Sequence, residues 1–166
     1  MIELTSISDL PSVPAVYAMF GGQARSRFVA YVGLGSKLRG RIEQHLIRRD
    51  SSVTTGVSAV SLNPDFVTEV RWWEHPEFGK QDALEAAELV AFDVLEPALR
   101  SRGGITDRAK QLYKEQEFRE QMMAVFSGEA IGCLRIRSLS QAWERIDDLE
   151  DRIREFETRL DDQDGG

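Results

Sequence analysis

The sequence predicts an α+β fold: a small three-stranded antiparallel sheet with flanking helices, then a helical C-terminal extension ending in a short coiled coil. Three observations carry this prediction. Two apolar, strand-forming runs are joined by a polar, glycine-containing turn. A third run of the same kind is stopped by His75-Pro76. Near the C-terminus, apolar residues recur at alternating three- and four-residue steps. With 166 residues, 42% hydrophobic and 30% charged, the chain is long enough for one domain with its own core plus an appendage.

Residues 14–20 (Pro-Ala-Val-Tyr-Ala-Met-Phe) and 27–33 (Arg-Phe-Val-Ala-Tyr-Val-Gly) read as a β-hairpin across Gly21 to Ser26. Ser36 offers an N-cap to a helix from Lys37 to Arg48, on which Leu38, Ile42, His45 and Leu46 share one face. Residues 51–64 read as loop, and Phe66 to Trp73 as the third strand. Gln81 to Leu95 is a helix whose apolar residues cover most of its circumference, which suits a central packing element. Pro97 follows it, and Gly103-Gly104 marks a boundary. Residues 1–104 are therefore expected as the sheet-containing domain and 105–166 as a helical extension. Asp107 to Phe126 reads as one helix of that extension. Between 139 and 160, Leu139, Ala142, Ile146, Leu149, Ile153, Phe156 and Leu160 form a heptad seam. Leu139, Ile146, Leu149, Ile153, Phe156 and Leu160 are the contacts through which this helix would join a second copy or another protein; folding back on its own domain is the alternative.

The single cysteine, Cys133, excludes an internal disulfide and a multi-cysteine zinc module. No apolar run reaches the ~20 residues of a membrane span, and the N-terminus lacks a basic start before an apolar stretch. A cytoplasmic protein with no membrane partner is the expectation. The net charge of −7 conceals a basic stretch: residues 25–49 carry Arg25, Arg27, Lys37, Arg39, Arg41, Arg48 and Arg49 against Glu43 alone. Such a patch can attract a polyanion while the rest of the molecule limits nonspecific binding. Solvation of one helix face is the plainer reading of the same residues.

Five side chains could carry chemistry. Glu88 lies among Ala86, Ala87, Leu89 and Val90 on the apolar helix, where a carboxylate costs free energy unless it is paired or holds a metal. Glu85, one turn earlier, competes for that role. Arg41 can grip a phosphate with a planar fork, and His45, one turn on, can hold or accept a proton or simply be hydrogen-bonded in the core. Tyr17 and Tyr31 fall on neighbouring strands, so their hydroxyls can converge. Beside cations, either phenol could have its pKa lowered and act as general base. Gly33-Leu34-Gly35 would let the chain turn into a helix whose N-terminus meets phosphate.

At these residues the chain resembles the GIY-YIG nuclease family. The name motif stands as Ala15-Val16-Tyr17 and Tyr31-Val32-Gly33, entered through Pro14. Arg41 follows Tyr31 by ten residues, His45 follows Arg41 by four, and Glu88 precedes Pro97 by nine. The resemblance spans about residues 10–104. It implies Mg²⁺- or Mn²⁺-dependent cleavage of DNA, with Tyr17, Tyr31, Arg41, His45 and Glu88 catalytic and Glu88 the metal ligand. Ala15 stands where the family has glycine. Arg100 stands where it commonly has asparagine, and could contact phosphate like Arg25, Arg27, Lys37, Arg39, Arg48 and Arg49, or mark reduced activity. A prokaryotic endonuclease of restriction, phage defence or a mobile element is the expected setting. A catalytically impaired DNA-binding or assembly subunit is the alternative from another class, and RNA is permitted by the same chemistry.

Overall fold

A computed structural model of the protein describes residues 1–22, 26–51, 62–100, 104–136, 145–154 and 156. Two compact units divide the chain, Met1–Ile136 and Arg137–Gly166. The first holds strands β1 (Ile2–Leu4), β2 (Ala15–Gly21), β3 (Phe28–Gly35), β4 (Val67–Trp73), β5 (Leu99–Arg100) and β6 (Gly132–Arg135). Its helices are α1 (Leu38–Glu43), which runs on into a π-helical turn (Gln44–Arg48), α2 (Gln81–Leu95), α3 (Asp107–Lys114) and α4 (Gln116–Ser127). No helix among the described residues is long and apolar enough to cross a membrane.

The expected three strands are present as the antiparallel centre β3-β2-β4, but they are half of the sheet. Six strands form one mixed sheet in the order β1-β6-β4-β2-β3-β5. β6 joins β4 antiparallel, β1 joins β6 parallel, and β5 joins β3 parallel through Tyr31↔Leu99 and Val32↔Arg100. The prediction failed on β1, β5 and β6 for a physical reason. Strands of 3, 2 and 4 residues are too short to show the alternation by which a strand is recognised. Strand β6 also corrects the helical reading of the segment after Gly104, since that segment returns to the sheet. Asp107 to Phe126 is two helices, separated at Glu115, whose backbone is extended.

Both faces of the sheet are covered, which is why β2 reads as an unbroken apolar run. On one face Tyr17, Met19, Tyr31, Val70 and Trp72 pack with Leu10, Leu38 and Ile42 from the N-terminal segment and α1. On the other, Val16, Ala18 and Val32 meet Leu84, Ala87, Val90 and Ala91 of α2, with Met122 and Phe126 of α4 behind them.

In the second unit, residues 145–154 are helical. The expected coiled coil is not found there among the described residues. Ile146, Leu149, Ile153 and Phe156 are 42, 42, 55 and 56% exposed. The seam positions Leu139 and Leu160 lie outside the described residues. A heptad pattern specifies an apolar stripe on a helix, not a partner to cover it. This helix is instead supported along its own surface, by Arg145 with Asp148 and by Arg154 with Glu150 and Asp151.

Candidate active site

The hairpin register places the two tyrosines. Tyr17 on β2 faces Gly33 on β3, and Tyr31 faces Met19, so the phenols are diagonal neighbours on one side of the sheet. Their ring centroids are 6.2 Å apart. A Cβ on Gly33 would come within 2.6 Å of the Tyr17 hydroxyl and 2.7 Å of the Tyr31 ring, so the second motif ends in glycine because the phenols occupy that space.

Helix α1 is anchored on the same side. Its first free N–H groups are taken by carbonyls of the N-terminal segment, Leu38 N to Val13 O at 3.0 Å and Arg39 N to Pro11 O at 3.2 Å. This corrects two expectations. The N-cap is Lys37, without a side-chain cap, rather than Ser36. The first two N–H groups of the helix are spent on the protein's own backbone and are not offered to phosphate.

Arg41, on α1, lies against Gly35 and donates to Gln44 Oε1 at 3.0 Å. One turn later His45 is fully buried. Its Nε2 is 2.6 Å from the Tyr17 hydroxyl and its Nδ1 is 2.7 Å from the Ser51 hydroxyl. Ser51, at 4% exposure, was not singled out from the sequence, where it is one of many small polar residues in a loop. The π-turn and the left-handed Arg49 (φ 55°) bend the chain back so that Ser51 reaches the ring of His45.

Glu88 comes from α2, across the sheet. Strand β5 pairs with β3 only at Tyr31 and Val32, and beyond Val32 the β3 edge opens onto a cavity of about 490 Å³. Tyr31, Arg41 and Glu88 share its wall with Lys37, Arg48 and Glu85. Tyr17 and His45 stand behind that wall, both at 0% exposure. The five residues read from spacing therefore meet at one place, three at the cavity and two beneath it.

Electrostatics sorts them further. Burial, aided by the neighbouring Tyr31, pushes the Tyr17 phenol well up, and Arg41 pulls it down without prevailing. Burial and then Glu88 raise Tyr31 against the same arginine. The expectation that Arg41 would help lower these phenols meets a larger desolvation cost. Burial first, and Arg41 second, lower His45 to about 3, so the imidazole is neutral at ordinary pH. Glu85 is held below its usual range although burial opposes this, because Thr106 N and Gln81 Nε2 donate to it. Glu85 is thus committed to holding Thr106 against α2. Among the described residues no three His, Cys, Asp or Glu side chains gather into a metal-holding group. The donor set fits a hard divalent cation that keeps most of its waters around a single carboxylate.

The basic stretch disperses. Lys37, Arg41 and Arg48 line the cavity. Arg27, together with Arg71 and Arg135, pairs with the buried Glu69. Arg49 pairs with Asp65, and Arg39 Nε donates to Leu10 O at 2.7 Å. Arg25 lies outside the described residues. Arg100 sits on β5 with its guanidinium 5.5 Å from the Phe92 ring centre and does not line the cavity. The chain matches no protein-family model, no curated protein and no solved structure.

Proposed function

We propose that this protein is a GIY-YIG-type endonuclease that hydrolyses phosphodiester bonds in DNA with Mg²⁺ or Mn²⁺. The observation that carries the reading is the joint wall of Tyr31, Arg41 and Glu88 in one cavity, with Tyr17 and His45 hydrogen-bonded beneath it. Phosphodiester hydrolysis needs charge neutralisation on the phosphoryl oxygens, an activated water and a proton for the leaving oxygen. Arg41 holds the phosphate through its guanidinium N–H groups, and Lys37 and Arg48 extend the positive wall along the strand. Tyr31 faces the cavity and Tyr17 lies behind it; because burial keeps both phenols protonated, either would act on the attacking water only as its phenolate, once the charge of a bound cation had driven its own proton off to solvent. Glu88 would hold the cation, which when bound supplies positive charge to the phosphate and to a water. His45, being neutral, organises Tyr17 and carries no charge into the site.

The test is cleavage of supercoiled plasmid, with and without Mg²⁺ or Mn²⁺, by wild type and by the Glu88→Ala and Arg41→Ala variants. Loss of at least a hundredfold in rate by each variant, with unchanged circular dichroism, is expected. Undiminished cutting by both sinks the reading. Matched RNA in competition decides whether DNA is the preferred polymer.

The second reading, a catalytically impaired binding subunit, is favoured by the same burial that raises both phenols. It gains if wild type binds duplex DNA yet leaves plasmid, linear duplex and single strands uncut with either cation.

A further inference from the structure

We propose that Ser51 is a positioning residue of this site: it holds His45 in the tautomer protonated on Nδ1, so that Nε2 accepts from the Tyr17 phenol. Three buried side chains form an unbroken line, Tyr17 Oη to His45 Nε2 at 2.6 Å and His45 Nδ1 to Ser51 Oγ at 2.7 Å. A neutral imidazole has one N–H and one lone pair, so each bond fixes the sense of the other.

The sense follows from Arg41. Its guanidinium offers only N–H donors and positive charge, and that charge acts on the Tyr17 oxygen. The phenol, a stronger acid than the Ser51 hydroxyl, is the natural donor in this line, and with positive charge beside its oxygen its proton is directed to Nε2, 2.6 Å away. Nδ1 is then the protonated nitrogen, and the Ser51 oxygen accepts from it. The charged and titratable groups facing Tyr17 and His45 are Tyr31 from β3, Arg41 from α1 and Glu88 from α2. None of these holds Nδ1; the hydroxyl of Ser51 does. With the phenol proton directed at the imidazole, the free lone-pair side of the Tyr17 oxygen is turned toward Arg41 and the cavity wall. Ser51 is placed to do this by the π-turn and by Arg49, since an uninterrupted helix would carry a residue six positions on away from the His45 face.

The kinetic consequence rests on the endonuclease reading, whereas the tautomer does not, so the two can fail separately. The experiment is ¹⁵N NMR of the His45 ring at pH 7 in wild type, Ser51→Ala and Ser51→Thr, with plasmid cleavage measured in parallel. Wild type and Ser51→Thr should show Nδ1 protonated and Nε2 bare, and Ser51→Ala a mixture of tautomers. In cleavage, Ser51→Ala should lose about tenfold in kcat with KM unchanged, and Ser51→Thr should recover it. Nε2 protonated in wild type overturns the proposal, and so does a Ser51→Ala ring still held wholly in the Nδ1 form. If wild type cuts no substrate but shows the stated tautomers, the positioning role stands and the nuclease reading falls.

Discussion

His45 offers the sharpest consequence at the scale of single residues. Its imidazole titrates at about 3 in the folded protein, because burial and then Arg41 oppose the charged form, whereas an unfolded histidine titrates near 6.5. A depressed pKa means that the unfolded chain binds more protons between those values. Stability contributed above pH 6.5 is therefore lost as pH falls toward 3. Denaturation with urea should show a loss of about 2 kcal/mol between pH 7 and pH 5. The same experiment on His45→Gln should give a nearly flat profile over that window; an equal slope would assign the loss to other groups. Glu69 and Glu85 do not confuse the result. Burial tends to raise both, but hydrogen bonds hold them below the usual carboxylate range, so their contribution is lost only at lower pH. Arg41, His45 and Glu88 were legible because each is an unusual residue at a fixed offset from a motif. Ser51 was not, because its role depends on a left-handed residue and a π-turn that leave no mark in a serine-rich loop.

At the scale of elements, length decided what could be read. The 15 residues of α2 show its period and end before Pro97, and the predicted bounds Gln81–Leu95 are those of the helix. The seven- and eight-residue strands of the hairpin were equally plain. Strand β6 was hidden by its shortness, yet its packing is demanding. Gly132 lies opposite Trp72, and a Cβ there would run into the indole ring. Gly132→Ala should cost about 3 kcal/mol by overpacking and lower the thermal midpoint markedly. Gly104→Ala, where an added Cβ meets open space, is the control and should leave the midpoint unchanged. A tolerant Gly132 would mean that β6 is not seated on β4 as described. The heptad stripe is the opposite case: the pattern was clear, but among the described residues it corresponds to one helix surface.

For the whole molecule, the unit Met1–Ile136 contains all six strands and both sides of the core. The sequence-based boundary at Gly104 cuts through it. A chain ending at Ile136 should therefore fold, with a cooperative melt and a circular dichroism spectrum of mixed α and β content. A chain ending at residue 104 lacks β6 and α4, leaving Trp72 without Gly132 and the α2 face without Met122 and Phe126, and should be unfolded or aggregated. A cooperative melt from the shorter chain would restore the boundary at Gly104. The distribution of charge is also a property of the whole: with −7 overall, the polyanion binding proposed for Lys37, Arg41 and Arg48 would act locally and should weaken steeply with salt.

The parallel pairing of β1 with β6 has a further consequence during synthesis. Ile2 pairs with Gly132 and Leu4 with Leu134, so β1 leaves the ribosome well before the strand it pairs with, and waits until nearly the whole first unit has been made. At ~5–20 residues per second, that wait is about 6–26 s. Through that interval β1 has no strand beside it, and this edge of the sheet closes only after β6 has emerged.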